Sequence, residues 1–283
     1  MSLERVPGTF THEGRHLAYD VIGEGERTVV LTHGLLMSRK LHRPLSRRLA
    51  ERGYRVVSLD FLGHGGSDRP ADMTVYSMQE FGREILALLD FLDVERAVIG
   101  GTSLGANASL EAAVLAPDRI AGLVIEMPVL DNAILGAGVA FLPFMVAMRF
   151  AAPAFRLVNA AANALPTSRL PQLDMLMDWP RDPPESSLAV LQGLFFSRVA
   201  PPTHERRRIE VPAIVLGHPN DPIHPFSDSD QLVREMPNAR LVEAESIIEM
   251  RVRPDRLTGE IAAFVDECWK ARRRRARRAP AAA

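Results

Sequence analysis

The sequence predicts an α/β architecture: a mostly parallel central sheet with helices on both faces and a helical insertion in mid-chain. Three observations predict it. Short β-branched runs alternate with stretches of helical periodicity through the first 126 residues. That alternation stops between Pro128 and Pro202, where no β-rich run occurs, and resumes at Ala213. A chain of 283 residues with 47% hydrophobic side chains can build one large core and an insertion upon it.

Taken in order, Gly8 to Ile22 alternates polar and apolar residues around Glu13-Gly14-Arg15, the pattern of an antiparallel hairpin. Thr28 to Thr32 and Arg55 to Leu59 are short strands, and between them Leu41, Leu45 and Leu49 recur at helical spacing. From Ser77 to Leu92 a helix places Phe81, Ile85, Leu88, Leu89 and Leu92 on one face. A buried strand over Arg96 to Gly100, a helix from Leu104 to Ala116 and a strand over Ile120 to Glu126 follow.

The insertion is rich in Ala, Met, Phe and Leu and is punctuated by Pro143, Pro153, Pro166, Pro171, Pro180, Pro183 and Pro184. It reads as a helical cap over the C-terminal edge of the sheet. Strands at Ala213 to Gly217 and Ala239 to Val242, then a helix from about Pro254 to Trp269, complete the core. The expected division is therefore 1–127 and 204–269 as two parts of one core, 128–203 as the cap, and 270–283 as a basic tail without fixed structure.

Composition narrows the partners. A formal charge of −1 exerts no global pull on nucleic acid or anionic membrane. The tail carries seven positive charges in the nine residues Lys270 to Arg278 and reads as a frayed, solvated continuation of the last helix. The sharper alternative is a salt-sensitive anchor for acidic lipid or nucleic acid. The single cysteine, Cys268, makes no internal disulfide, and the first residues contain no apolar signal-like stretch; both fit a cytoplasmic protein. The apolar run Leu135 to Met148 contains Pro143 and is shorter than the roughly 20 residues a membrane span requires, so no transmembrane segment is expected but a cap helix buried on the sheet, the alternative being a lipophilic lid that touches membrane or greasy substrate. No spacing of His, Cys and carboxylates suggests a metal site, and no glycine-rich phosphate loop suggests a nucleotide, so no cofactor is expected. Oligomeric state is not legible.

The stretch with the most chemistry is Gly101-Thr102-Ser103-Leu104-Gly105, at the predicted junction of a strand and a helix. A serine there occupies a tight turn, with its hydroxyl exposed beside helix N-terminal N–H groups, and the flanking glycines make room for the turn. Three further segments accompany it in order: Thr32-His33-Gly34-Leu35, Asp60-Phe61-Leu62-Gly63-His64-Gly65-Gly66-Ser67-Asp68, and Asp221-Pro222-Ile223-His224-Pro225. With these four, the chain resembles the α/β-hydrolase fold family over nearly its whole length. The resemblance implies Ser103 as nucleophile, the backbone N–H groups of Leu35 and Leu104 as an oxyanion hole, and Asp221 as the acid that orients a histidine. It also implies that His33 and His64 shape their loops and that Asp68 ties its loop.

One part of the pattern is absent. The resembling family places its catalytic histidine after the last strand, where this chain reads Glu245-Ser246-Ile247-Ile248-Glu249-Met250-Arg251, and no histidine occurs after His224. His218 and His224, which flank Asp221, are candidates for the base; Glu126, at the end of the strand after the elbow helix, is a candidate alternative acid. The pairings considered are His224 with Glu126 and His218 with Asp221. Glu249 acting directly as base is a weaker option, since a carboxylate matches the serine proton poorly. Two functions follow: a serine hydrolase of small apolar esters or related acyl compounds, or a hydrolase-like protein that binds a small apolar ligand or a partner without turnover.

Overall fold

The computed structural model describes residues 3–166, 174 and 177–278, the last eight for their backbone alone. Eight strands form one sheet in the order β1-β2-β4-β3-β5-β6-β7-β8. The strands are β1 (Arg5–His12), β2 (Arg15–Ile22), β3 (Thr28–Thr32), β4 (Arg55–Leu59), β5 (Ala97–Thr102), β6 (Ile120–Glu126), β7 (Ala213–Gly217) and β8 (Ala239–Glu243). β1 pairs antiparallel with β2 and β2 antiparallel with β4, while β4, β3, β5, β6, β7 and β8 run parallel. The first hairpin closes through Glu13 (φ 47°) and Gly14 (φ 75°), the two left-handed residues that a tight hairpin turn demands.

Strand periodicity divides the core in two. Val30, Val57, Ile99, Leu123 and Val215 point to one face, where α2 (Met78–Phe91) and α3 (Leu104–Leu115) contribute Ile85, Leu88 and Ala108. Val29, Val56, Val98, Val124 and Ile214 point to the other, where α1 (Arg43–Glu51) and the closing helix Asp255–Arg278 contribute Leu45, Leu49, Leu257 and Ile261. Strands buried on both faces are what helix-covered parallel sheets produce. Ser77 caps α2 by accepting the Glu80 N–H, which explains its sharp start.

Between β6 and β7 the described residues form helices only: α4 (Ile134–Phe150), α5 (Ala152–Ala164), the turn Asp178–Arg181 and the helix Pro184–Phe195, ahead of the short turn Thr203–Arg206. Pro171 lies outside the described residues. The insertion touches loops at the C-terminal ends of three strands. Leu35 packs with Met145, Met148 and Leu191, Gly63 faces Val190, and Gly136 faces the Pro222 carbonyl.

One expectation needs correction here. α4 was expected to be buried on the sheet, but it buries only Met145 and Met148, while Leu135, Val139 and Phe150 are 79%, 70% and 82% exposed. A helix that is apolar on all sides can bury only one stripe against a single underlying layer. The basic tail carries the closing helix on, with helical backbone through Arg278. Ala and Arg are strong helix formers, so the helix propagates past the buried Trp269. Residues 279–283 lie outside the described set. Among the described residues no single helix is long and apolar enough to cross a membrane; α4 and α5 reach that length only together and are bent by 93°.

Candidate active site

Ser103 follows β5 and opens α3 with φ 54° and ψ −106°, a left-handed conformation that few non-glycine residues adopt. The turn is held by the Ser103 N–H donating to the Glu126 carbonyl (2.8 Å) and the Gly105 N–H donating to the His33 carbonyl (3.1 Å). β3 passes directly beneath it: a Cβ on Gly101 or Gly105 would collide with the Thr32 carbonyl, so both positions require glycine. The Thr32 hydroxyl donates toward the carbonyls of Gly100 (3.0 Å) and Gly105 (3.2 Å), stitching the three segments together.

The loop after β7 brings a histidine opposite Ser103. His224 Nε2 lies 2.9 Å from Ser103 Oγ, and His224 Nδ1 lies 2.9 Å from Asp221 Oδ2. Asp221 Oδ1 accepts the backbone N–H groups of Ile223 (2.8 Å) and His224 (3.0 Å), so the carboxylate also closes its own turn. Burial works to raise the Asp221 carboxyl, but those two N–H groups and the imidazole outweigh it and hold the group below the usual carboxylate range. An ionised Asp221 accepts from Nδ1–H, which leaves the Nε2 lone pair directed at the Ser103 hydroxyl. The side chains of His224 and Asp221 are 15% and 9% exposed, shielded yet reachable.

The two pairings drawn from the sequence are therefore exchanged. His224 pairs with Asp221, and His218 lies 3.4 Å from Glu126 through Nε2 while its Nδ1–H donates to the Ser246 carbonyl (3.0 Å). Glu126 accepts from Arg251 Nη2 (2.9 Å) and from the Thr102 hydroxyl, and does not meet His224. Glu249 is committed to Arg256 at 2.8 Å, which lowers its carboxyl, so it has no part opposite Ser103. Ile247 and Ile248, where the missing histidine was sought, are 43% and 54% exposed. The sequence offered a signal for the correct pairing: a three-residue separation in Asp-Pro-Ile-His brings both side chains to one side of a turn.

Leu104 is the first residue of α3 and Leu35 follows the β3 loop; among the described residues neither backbone N–H donates to another protein group. Both are thus available to an external acceptor. Leu36 (φ 57°) and the Met37 N–H to Gly34 carbonyl bond (3.2 Å) shape the Leu35 loop. Buried His33 pins that loop: its Nδ1–H donates to the Gly34 carbonyl (2.8 Å) and its Nε2 accepts the Phe61 N–H (3.1 Å). Burial lowers His33 to about 3, and the neighbouring His64, whose Nδ1–H donates to the Leu62 carbonyl (3.0 Å), also to about 3. Both are neutral structural imidazoles. Asp68 accepts the His16 N–H (2.7 Å), tying its loop to β2. Away from the site, His12, Glu13 and Glu80 bring ligand atoms within 4.8 Å of one another, and His12 and Glu80 meet as a pair at 2.9 Å.

A family model described as alpha/beta hydrolase fold matches residues 27–245. Among curated proteins, the chain is 34% identical over 110 residues to Epoxide hydrolase A of Mycobacterium tuberculosis, covering 38% of this chain and 34% of that one. It is 38% identical over 108 residues to the dihydrolipoyllysine-residue acetyltransferase component of the acetoin cleaving system of Pseudomonas putida, covering 37% of this chain and 28% of that protein. The matches thus span about a third of the curated relatives' length. Among solved structures, the enol-lactonase from Burkholderia xenovorans LB400 superposes with a TM-score of 0.76 at 23% identity, covering 92% of this chain and 100% of that one, a likeness of fold.

Proposed function

The chain belongs to the alpha/beta hydrolase fold family, and from that premise we propose that it is a serine hydrolase of small apolar esters or related acyl compounds. The observation that carries this reading is the unbroken chain from Ser103 Oγ to His224 Nε2 and from His224 Nδ1 to Asp221 Oδ2, each link 2.9 Å. His224 takes the hydroxyl proton as Ser103 Oγ attacks the acyl carbonyl carbon. The carbonyl oxygen becomes an anion between the N–H groups of Leu35 and Leu104, where aligned donors stabilise it. Collapse expels the alkoxide, which takes the proton from imidazolium, and a water deprotonated by His224 then releases the acid and regenerates Ser103. Asp221 holds the imidazole tautomer and stabilises its charged form throughout.

The apolar preference rests on the cap. Leu35 packs with Met145, Met148 and Leu191, and Phe141, Phe144, Phe155 and Leu188 border the same cluster. An acyl or alcohol chain entering beside the oxyanion donors would meet thioether, aliphatic and aromatic surface. Cytoplasmic placement belongs to the same proposal and rests on the one buried cysteine, Cys268.

The test uses p-nitrophenyl butyrate and a fluorophosphonate probe. Wild-type protein is expected to turn over the ester and to be labelled at Ser103, and Ser103→Ala to lose labelling and all but residual turnover. Unchanged turnover in Ser103→Ala would remove the serine mechanism. No labelling of folded wild-type protein would favour the alternative, a ligand-binding protein without turnover.

A further inference from the structure

A charged cluster lies directly behind the nucleophile and takes no part in the mechanism above. Glu126 ends β6 and is buried. Its carbonyl accepts the Ser103 N–H, and its carboxylate accepts from the Thr102 hydroxyl and from Arg251 Nη2 at 2.9 Å and faces His218 Nε2 at 3.4 Å. His218 is fully enclosed and reaches on to the Ser246 carbonyl. One carboxylate therefore ties together three segments: the turn carrying Ser103, the chain entering the β7 loop, and the segment after β8. Burial works to raise the Glu126 carboxyl, but Arg251, His218 and Thr102 overcome it and keep the group ionised.

The placement of the base makes this cluster consequential. In the resembling family the acid and the histidine come from two different loops, so each is located independently. Here Asp221 and His224 share one turn, with Asp221 bonded to the His224 backbone N–H and ring together. Asp221 can orient the imidazole within that turn but cannot fix the turn's distance from Ser103. That distance depends on what fastens the loop to the β5–β6 edge. His218 stands three residues before Asp221 and makes that fastening, alongside the Met127 N–H to Leu216 carbonyl bond (3.1 Å). Arg251 occupies the segment where the family's histidine would stand and supplies the countercharge that keeps Glu126 ionised in a buried position.

We propose that Glu126, His218 and Arg251 are positioning residues that set the distance between His224 and Ser103, a claim that rests on the serine-hydrolase reading. A misplacement of about 1 Å at a reacting group can cost about a hundredfold in rate. The experiment compares wild type, Ser103→Ala, Glu126→Gln, Arg251→Gln and Arg251→Lys with p-nitrophenyl butyrate, each first checked for a native circular dichroism spectrum and cooperative melting. Glu126→Gln and Arg251→Gln are expected to lose about ten- to a hundredfold in kcat with KM within about threefold of wild type, and to react with fluorophosphonate correspondingly slowly. Arg251→Lys, which retains a cation, is expected to recover most of the loss. Arg251 is partly exposed, so its variants keep the test open if Glu126→Gln fails to fold. Wild-type kcat in the folded variants, or a loss carried by KM alone, or Lys performing no better than Gln, would overturn the positioning role while leaving an inactive Ser103→Ala to uphold the serine reading. An active Ser103→Ala would bring down both.

Discussion

Asp221 meets His224 twice, through the ring nitrogen and through the backbone N–H. The carboxylate therefore has two separable tasks, and an amide replacement divides them. Asp221→Asn retains a side-chain oxygen that can accept the backbone N–H groups and close the turn. It cannot stabilise imidazolium and favours the wrong tautomer, so kcat is expected to fall about ten-thousandfold with little change in melting temperature, measured by ester turnover and calorimetry. Comparable loss of both would mean that Asp221 matters only for folding its loop. At the same scale, the histidines divide by environment. His224 is open to the hydroxyl it faces, whereas His33 spends both ring nitrogens, and His64 its Nδ1, on backbone groups inside the core.

The element that decides the site is the β5–α3 corner. Ser103 holds a strained backbone because both neighbours at two residues' distance lack side chains and β3 closes in from below. Gly105→Ala would push a methyl into the Thr32 carbonyl, forcing β3 away from the corner. It should destabilise the protein by roughly 1–3 kcal/mol, read from a lowered urea midpoint, and should also impair turnover because Leu35 and Leu104, the proposed oxyanion donors, lie on the two displaced segments. A stable, fully active Gly105→Ala would contradict this account of the corner. The insertion behaves as a different kind of element. α4 joins the molecule through a narrow stripe and leaves most of its apolar surface outward, which the local pattern of residues could not reveal because its composition is apolar on every side.

At the scale of the whole molecule, the loops at the C-terminal edge of the sheet depend on neutral buried imidazoles. Burial lowers His33 and His64 to about 3 and His42, whose Nε2–H donates to the Thr32 carbonyl, to about 4. Between those values and about 6.5 the unfolded chain binds protons that the folded chain refuses, so stability is fully present above about 6.5 and is lost as pH falls through that window. Each such histidine contributes a slope of up to about 1.4 kcal/mol per pH unit. Burial raises Asp182 to about 6 and also raises Glu84 and Glu111, and these three work in the opposite direction. The carboxyls stop opposing once their unfolded counterparts are protonated at about 4, whereas His33 and His64 refuse protons down to about 3, so the balance is a loss toward acid. The urea midpoint is expected to drop as pH falls below about 6.5, with a shallower drop in His64→Gln. A midpoint unchanged down to about pH 5 would show that these histidines are not held neutral.

The strand–helix alternation, the serine corner and the Asp221 turn are legible in the sequence, because each is written in short-range patterns: two-residue and 3.6-residue periodicity, glycines at fixed offsets, and an Asp-Pro turn. Thr28–Thr32, Arg55–Leu59 and Ile120–Glu126 are strands over the very residues their β-branched runs mark out. The partner of Ser103 was not legible in that way. Ser103 and His224 are 121 residues apart, and whether His218 or His224 turns toward the serine depends on how the β7 loop is fastened to β6 and β8. Packing makes that choice, by enclosing His218 against Glu126 and leaving His224 to face Ser103. A contact across 121 residues is fixed by packing and charge pairing among distant segments, and local sequence carries no record of either.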